Sequence, residues 1–203
     1  MLGLGSSIVH GSSGAYVLID TYNSDFTGGG GDTSSTWSDY SVEGGSITFA
    51  TNQTIKSTGD WLKATFPNAA QTAASGIQST LDGRTWMPGD VLEWSFKFYL
   101  DGDWEGSDDV SIAIIMPSTS QAQTQIITAT NVESFSNAPS GLTYFQFQQD
   151  VDDVVEFTGK TYINEEIASK IVIYGNSTND EQQDNTAYMA IKDIEIKTLR
   201  KFG

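Results

Sequence analysis

Apolar and polar side chains alternate strictly in the segment that follows Pro88-Gly89. The apolar positions are Leu92, Trp94, Phe96, Phe98 and Leu100, and the positions between them are Glu93, Ser95, Lys97 and Tyr99. Successive side chains of a strand point to opposite faces, so one face of this segment is apolar and the other is mostly polar. The pattern predicts a long strand with one side against the core, and it places Trp94 in that core.

Shorter alternations predict further strands, and sustained helical periodicity does not occur. These segments are Ala15–Asp20, Ser46–Thr51, Trp61–Phe66, Val110–Met116, Thr124–Asn131, Leu142–Gln148, Lys170–Gly175 and Ala187–Leu199. In the last, a three-residue step from Ile191 to Ile194 breaks the alternation, and a β-bulge near Lys192-Asp193 would restore it. A short helical turn is predicted near Glu165–Ser169. Eight to ten strands separated by turn-rich segments favour an antiparallel β-sandwich.

A chain of 203 residues is long enough for one sizeable domain and short for two. Residues 15–203 are therefore expected to form the sandwich domain. The segment 1–14 is rich in Gly and Ser and is expected to be a flexible arm outside the core. Its apolar side chains, which could dock against a partner, are Leu2, Leu4, Ile8 and Val9.

Ten Lys and Arg residues against 26 Asp and Glu residues leave a formal net charge of −16. Nucleic-acid binding is not expected, because it needs a basic footprint to neutralise phosphates. Anionic membrane surfaces are disfavoured for the same reason. The chain has no Cys, so disulfides and thiolate chemistry are excluded. Its N-terminus lacks the basic start and apolar run of a secretion signal, which predicts synthesis in a cytoplasm.

The order of these features resembles the jelly-roll carbohydrate-binding modules from about Ile19 to Lys197. The segments that carry the resemblance are Asp25-Phe26, Trp37, Gly89-Asp90, Trp94-Ser95-Phe96 and the closing strand Tyr188–Ile196. The resemblance implies a jelly-roll sandwich with a concave face for glycans. Lys192 stands where the family commonly has the first of two acids, a departure that weakens transfer of the family's structural calcium site.

The start of the chain, Met1-Leu2-Gly3-Leu4-Gly5-Ser6-Ser7, resembles the opening of virion structural proteins of tailed phages. This second resemblance implies a protein made in the host cytoplasm and located on the virion. Its partners would then be other virion proteins of the capsid or tail, and it would be a homo-oligomer or present in many copies.

Three tryptophans are candidates for stacking on sugar rings, because the apolar face of a pyranose matches an exposed aromatic surface. Trp61 is out of phase with Leu62, Ala64 and Phe66, so it should point away from the core. The other two, Trp86 and Trp104, lie in or beside turns. The alternative for each of the three is ordinary partial burial.

An acidic segment between two predicted strands could supply oxygen ligands for calcium. Its carboxylates are Asp101, Asp103, Glu105, Asp108 and Asp109. The spacing does not match an EF-hand loop, and the alternative is a solvated hairpin.

No pattern in the chain predicts catalysis. A second acidic run, Asp150, Asp152, Asp153 and Glu156, could include a carboxylate pair for glycoside hydrolysis, but a solvated loop is the expected alternative. His10 is the sole histidine and lies in the arm, where it cannot complete a triad or a zinc site.

The two favoured functions are not enzymatic. The leading hypothesis is a virion structural protein that decorates or cements the capsid exterior, or a head or tail appendage, and docks through its arm. The alternative is a carbohydrate-binding module or an adhesin for host-surface glycans. A glycan-degrading enzyme ranks third. No cofactor is expected, apart from calcium if the acidic segment binds it.

Overall fold

The chain forms an antiparallel β-sandwich, as the alternation predicts, of the jelly-roll class that the family resemblance implies. A computed structural model describes residues 14–28, 36–40, 46–65, 75–101, 111–115, 124–129, 132–134, 145–147, 154–164, 166–169, 171–176 and 188–202. The strands are β1 (Tyr16–Asn23), β2 (Trp37–Tyr40), β3 (Thr48–Ile55), β4 (Thr58–Thr65), β5 (Ser75–Ser79), β6 (Thr85–Trp86), β7 (Val91–Leu100), β8 (Ser111–Ile115), β9 (Thr124–Ala129), β10 (Val132–Ser134), β11 (Phe145–Phe147), β12 (Val154–Tyr162), β13 (Ile167–Ala168), β14 (Ile171–Asn176) and β15 (Tyr188–Lys201). Within these ranges no helix is long and apolar enough to cross a membrane.

Two sheets and a two-stranded ribbon account for all of these strands. The first sheet has the order β3-β4-β15-β7-β12-β9, and the second has the order β10-β11-β8-β14-β5-β2. The first half of β15 pairs with β4, whereas its second half pairs with β1 on the same side. The ribbon joins β6 to β13 through the pair Trp86–Ile167. Every pairing in both sheets is antiparallel.

The core lies between the two sheets and consists of large apolar side chains. From the first sheet, β7 contributes Trp94, Phe96 and Phe98, and the neighbouring β12 contributes Phe157. The ring of Phe96 stacks on that of Trp94 at 5.8 Å between centroids and on that of Phe157 at 5.3 Å. The second sheet closes the core with Ile77, Ile171 and Ile173. Trp94 is 3% exposed, which confirms its predicted place in the core.

The predicted bulge in the last strand is present. The register of β15 against β7 shifts between Lys192 and Glu195, and Asp193 has a φ of 52°. Asp tolerates this left-handed conformation better than most residues. Ser24 fixes the bulge from both sides, because its N–H donates to the carbonyl of Ile194 and its hydroxyl accepts from the N–H of Ile194. The bulge keeps Ile191 and Ile194 both directed at the core.

Gly159 makes room for a core indole in the middle of the first sheet. It lies opposite Trp94 in the register of β12 against β7. A Cβ at this position would approach the Trp94 ring to 2.3 Å, so any other residue would displace the ring. The indole N–H of Trp94 donates to the Thr161 hydroxyl at 3.1 Å, which satisfies the one polar atom of the ring.

An ion pair ties the start of β7 to the end of β15. The side chain of Asp90 is fully buried and accepts from Nε and a terminal nitrogen of Arg200 at 2.6 and 2.7 Å. It also accepts from the N–H of Met87 at 2.8 Å. The hydrogen bonds from Arg200 to Asp90 raise the pKa of Arg200 above its ordinary value. Because both strands lie at the centre of the first sheet, this pair anchors one end of that sheet.

The predicted strands coincide with described strands, but several short strands and one long strand were not predicted. The long one is β12, whose first residues read as part of an acidic loop and whose interior contains Gly159 and Lys160. The predicted helical turn at Glu165–Ser169 is wrong. The described part of that segment contains the strand β13, held by its pairing with β6.

Candidate functional site

The outer face of the first sheet, directed away from the core, carries a row of three charged side chains. Residues directly opposite each other in an antiparallel pair project from the same face. Glu93 on β7 lies opposite Lys160 on β12 and opposite Lys197 on β15. In the next row, Ser95 lies opposite Thr158 and opposite Glu195. These two rows, called here the central rows, place lysines, carboxylates and hydroxyls on a surface three strands wide.

The central rows line an open cleft with a volume of about 390 Å³. Ser95, Thr158 and the backbone of Gly159 form its floor, and the four charged side chains of the central rows stand around them. A second depression of about 360 Å³ adjoins it at Ser95 and Glu195 and extends to Asn23, Ser24 and Asp193. The floor is low because small residues alternate with the inward-facing aromatic residues of β7 and β12.

Each carboxylate around the cleft is paired with a lysine. Lys160 Nζ lies 2.5 Å from Glu93 Oε1, and Lys197 Nζ lies 2.5 Å from Glu195 Oε1. The hydrogen bond to Glu93 and its charge raise the pKa of Lys160 above the ordinary value. All four side chains are 39% to 51% exposed, so solvent screens these pairs and their contribution to stability is small.

Tyr162 lies at the end of β12, beyond the residues that line the cleft. It is two residues beyond Lys160 and therefore projects from the same face. The ring is 37% exposed, whereas Val91, which lies opposite it on β7, is buried. Tyr162 thus offers an aromatic surface with a polar hydroxyl on the same face as the cleft, beyond Lys160.

A second aromatic group lies farther along the same face and is covered. It comprises Trp61, Tyr99 and Tyr188, packed with Ile55 and Ala190. Lysine side chains lie over all three rings, with Lys63 Nζ only 3.7 Å from the centroid of Tyr188. Aliphatic lysine stems cover apolar surface while their ammonium groups stay in water. This group stabilises the sheet and offers little free aromatic surface.

The structure corrects the prediction that Trp61 and Trp86 offer exposed surfaces to a glycan. Trp61 does point away from the core, as its phase predicts, but it is 1% exposed. Its indole N–H donates to the Thr58 hydroxyl at 2.9 Å. Trp86 is 2% exposed and belongs to the core cluster. Stacking on a sugar needs an accessible ring face, and neither ring has one. The alternative, burial, is therefore correct for both residues. Trp104 lies outside the described residues.

The predicted calcium segment is described only at its first residue. Asp101 is partly exposed, and its N–H donates to the carbonyl of Tyr188 at 3.0 Å. Asp103, Glu105, Asp108 and Asp109 lie outside the described residues, so the calcium prediction stays untested. Among the side chains that the structure does describe, no group of three or more His, Asp or Glu residues is placed to hold a metal ion.

The predicted docking arm and most of the second acidic run also lie outside the described residues. These positions are Leu2, Leu4, Ile8, Val9, His10, Asp150, Asp152 and Asp153. Glu156 is described and is exposed on β12, where it lies opposite Lys97.

The sequence did not single out the residues around the cleft. Glu93 and the neighbouring Ser95 and Lys97 were recognised only as the polar side of the β7 alternation. Lys160 and Tyr162 lie on a strand that was not predicted. A signal was nevertheless present, because a polar side of a central strand has to face either solvent or a ligand.

Comparisons with known proteins give no family assignment. No family model matches the chain, and no curated protein matches it. The solved structures that resemble it include the CBM22-1 xylan-binding domain of Xyn10C from Paenibacillus barcinonensis, at 17% identity and a TM-score of 0.45, covering 94% of this chain and 98% of that one. A cyclase from Fischerella sp. TAU matches at 12% identity and a TM-score of 0.49, covering 92% and 100%.

A third similar structure contains the CBM22-1 and GH10 modules of xylanase 10B from Clostridium thermocellum. It matches at 10% identity with a TM-score of 0.47 and covers 87% of this chain. The chain spans only 28% of the length of that matched chain. The similar structures thus include carbohydrate-binding modules and also an enzyme. At these values neither a ligand nor a reaction transfers to this chain.

Proposed function

We propose that the chain is a non-catalytic glycan-binding domain whose binding surface is the cleft on the outer face of the first sheet. The observation that carries this proposal is the exposed ring of Tyr162 on the same face as a cleft whose floor consists of small polar residues. A pyranose presents an apolar C–H face and a rim of hydroxyl groups. The ring of Tyr162 matches the apolar C–H face, and the charged and hydroxyl side chains of the central rows match the sugar hydroxyl groups.

The shape of the cleft supports a chain-like ligand. It is open rather than enclosed, and it adjoins the second depression through Ser95 and Glu195. Together the two run from the exposed side of β12 across β7 to the end of β1. A linear oligosaccharide could lie across the strands and contact several side chains at once.

The geometry favours binding over hydrolysis. Glu93 and Glu195 are diagonal neighbours on adjacent strands, a spacing that a glycosidase carboxylate pair could also have. A general acid, however, is normally held protonated by apolar, unpaired surroundings. Each of these carboxylates instead accepts a hydrogen bond from a lysine in a solvated cleft. We therefore assign them to hydrogen bonding with sugar hydroxyls.

Replacement of the aromatic side chain tests the proposal. Tyr162→Ala is expected to weaken glycan binding by about tenfold or more, because a buried aromatic contact of about 1.5 kcal/mol is lost. Binding to a glycan array, followed by calorimetry on the strongest ligand, measures this. Thermal unfolding should change little, since the ring is partly exposed.

Tyr16→Ala is the matched control, since that ring is also exposed but lies on β1, which β15 and β7 separate from β12. It should leave glycan affinity unchanged. Equal affinity of the Tyr162→Ala variant and the unmodified chain would contradict the proposed surface. Release of reducing ends from a bound glycan would contradict the non-catalytic assignment.

The virion location remains a proposal from the sequence resemblance alone. It concerns residues 1–14, of which only Gly14 is described. Mass spectrometry of purified particles would test it, and deletion of residues 1–13 should abolish particle association without unfolding the domain. A glycan-binding sandwich and a virion location are compatible, since such a domain can serve as an adhesin.

A further inference from the structure

The outer face of the first sheet concentrates the few cationic side chains of an acidic protein. The chain has ten Lys and Arg residues against 26 Asp and Glu residues. Those that project from or lie over this face include Lys56, Lys63, Lys97, Lys160, Lys192 and Lys197. On the three central strands β15, β7 and β12, the carboxylates of the same face are Asp193, Glu195, Glu93 and Glu156. Where β15 and β12 pair with β7, the four carboxylates match Lys97, Lys160, Lys192 and Lys197 in number, and Lys56 and Lys63 add cationic charge over the neighbouring aromatic rings.

Two lysines lie directly opposite each other on adjacent strands, and one of them is largely buried. Lys192 Nζ donates to the carbonyl of Gly59 at 3.0 Å, and its side chain is 13% exposed. Lys192 on β15 lies opposite Lys97 on β7, and like charges in this arrangement destabilise a sheet. The next position of β15, Asp193, offsets them: its carboxylate lies 2.8 Å from Lys97 Nζ and 3.8 Å from Lys192 Nζ. Hydrogen bonding to Asp193 raises the pKa of Lys97. An acidic group is thus already accommodated between these two lysines.

The central row repeats this arrangement on the next part of the face. Glu93 lies between Lys160 and Lys197, with one lysine on each neighbouring strand. The strands are about 4.8 Å apart, so the two lysine backbones are separated by about 10 Å. Both lysines are about half exposed. Exposed ion pairs of this kind are worth about 0–1 kcal/mol, so an incoming anion can replace the internal carboxylate at little cost.

We propose that the ligand of the cleft is an anionic glycan, whose acidic groups bind between Lys160 and Lys197. This inference rests on the proposed glycan-binding function and specifies its ligand class. Lysines and carboxylates alternate on the face, which fits a chain that carries hydroxyl groups as well as acidic groups. Glu93 and Glu195 accept hydrogen bonds from the hydroxyls, and the lysines bind the acidic groups.

The overall charge of −16 does not oppose this assignment. At physiological ionic strength the Debye length is about 8 Å, and packed sheets are about 10 Å apart. Carboxylates on the other side of the sandwich are therefore screened from the face. A nucleic acid fits less well. Duplex DNA carries one phosphate charge per about 1.7 Å of its axis, so phosphates would lie against Glu93 and Glu195 with no neutral groups between successive charges.

The test compares one glycan backbone with and without its charge. Calorimetry on the full chain uses an oligogalacturonate, with one carboxylate on each sugar, and the same oligomer as its methyl ester. We expect the acid form to bind at least about tenfold more tightly than the ester, the effect of one charge-assisted contact. Added salt should weaken binding of the acid form. A sulfated oligosaccharide of equal length shows whether sulfate or carboxylate is preferred, and either preference supports the anionic class.

Two double variants with the same net charge separate a local contact from a general charge effect. Lys160→Gln with Lys197→Gln removes two cations from the cleft and should weaken binding of the acid form about tenfold or more. Thr80→Glu with Thr85→Glu adds two anions at exposed positions, one directly after β5 and one at the start of β6. This control should retain affinity, and thermal unfolding should show that both variants fold.

The outcomes that overturn the inference differ from those that overturn the proposed function. Equal binding of the acid and its ester refutes an anionic ligand and leaves glycan binding intact. An absence of binding to these oligomers and to a panel of neutral glycans refutes both. Binding of single-stranded DNA with the same affinity and the same dependence on Lys160 and Lys197 refutes a glycan-specific site and indicates general attraction of polyanions.

Discussion

The two faces of the first sheet are built from the same strands, yet they use their side chains differently. On the inner face, β7 contributes Trp94, Phe96 and Phe98 to one continuous apolar core. On the outer face the same strand contributes Glu93, Ser95 and Lys97 to the cleft and its surroundings. Strand alternation makes this division possible, because each side chain projects from one face only and its chemistry need suit only that face.

Burial alone does not distinguish the faces. Trp61 and Tyr99 belong to the outer face and are nevertheless as buried as the core aromatics. They are covered by neighbouring side chains, lysines among them, rather than by a second sheet. An aromatic residue on a solvent-facing side can thus serve stability, whereas the half-exposed Tyr162 remains available for contact.

The largest effect is expected from the inner face. Phe96→Ala removes a ring that stacks between Trp94 and Phe157 and should lower the free energy of unfolding by about 3–5 kcal/mol. Urea denaturation measures the change. The neighbouring outer-face variant Lys97→Ala should cost about 1 kcal/mol or less. Similar losses for the two variants would mean that the faces are not energetically distinct.

An intermediate effect is expected at Gly159, which contacts the core indole of Trp94 and also lines the cleft. Gly159→Ala places a methyl group against the Trp94 ring and should destabilise the fold by about 1–3 kcal/mol, because the buried indole has to move. Thr158→Ala, on the exposed floor, should stay within about 0.5 kcal/mol of the unmodified chain. Urea denaturation measures both variants, and full stability of Gly159→Ala would contradict the tight contact.

A smaller effect is expected for the covered aromatic group of the outer face. Trp61→Phe loses the hydrogen bond to Thr58 and part of the ring packing, and should cost about 1–2 kcal/mol in urea denaturation. Glycan affinity should not change, because the ring is not accessible. A loss of affinity at full stability would restore Trp61 as a glycan contact.

The smallest effect concerns the exposed pair of the cleft and depends on pH. The pKa of Lys160 is raised above 10.5 in the folded state by its hydrogen bond to Glu93. The pair therefore stabilises the fold below that pH, and the contribution is lost as the pH rises through the folded-state pKa. Glu93→Gln should lower the urea midpoint slightly at about pH 8, and the difference should vanish by about pH 12. A difference that persists at high pH would show that Glu93 acts through packing rather than charge.

The sequence by itself determined the local elements of this protein. Strict alternation identified β7 and its inward-facing Trp94, and the phase of β4 placed Trp61 on the opposite side from Leu62. The broken step between Ile191 and Ile194 located the bulge of β15. These predictions succeeded because side-chain direction along a strand depends on neighbouring residues alone.

Tertiary structure decided which residues share the site. Lys160, Glu93 and Lys197 are far apart in the chain and meet only because β12, β7 and β15 pair side by side in one register. Whether an outward-facing aromatic residue is covered or accessible likewise depends on the side chains of adjacent strands, as Trp61 and Tyr162 show. Alternation gives the face of each residue, whereas strand order and register, which are set by long-range pairing, determine its neighbours.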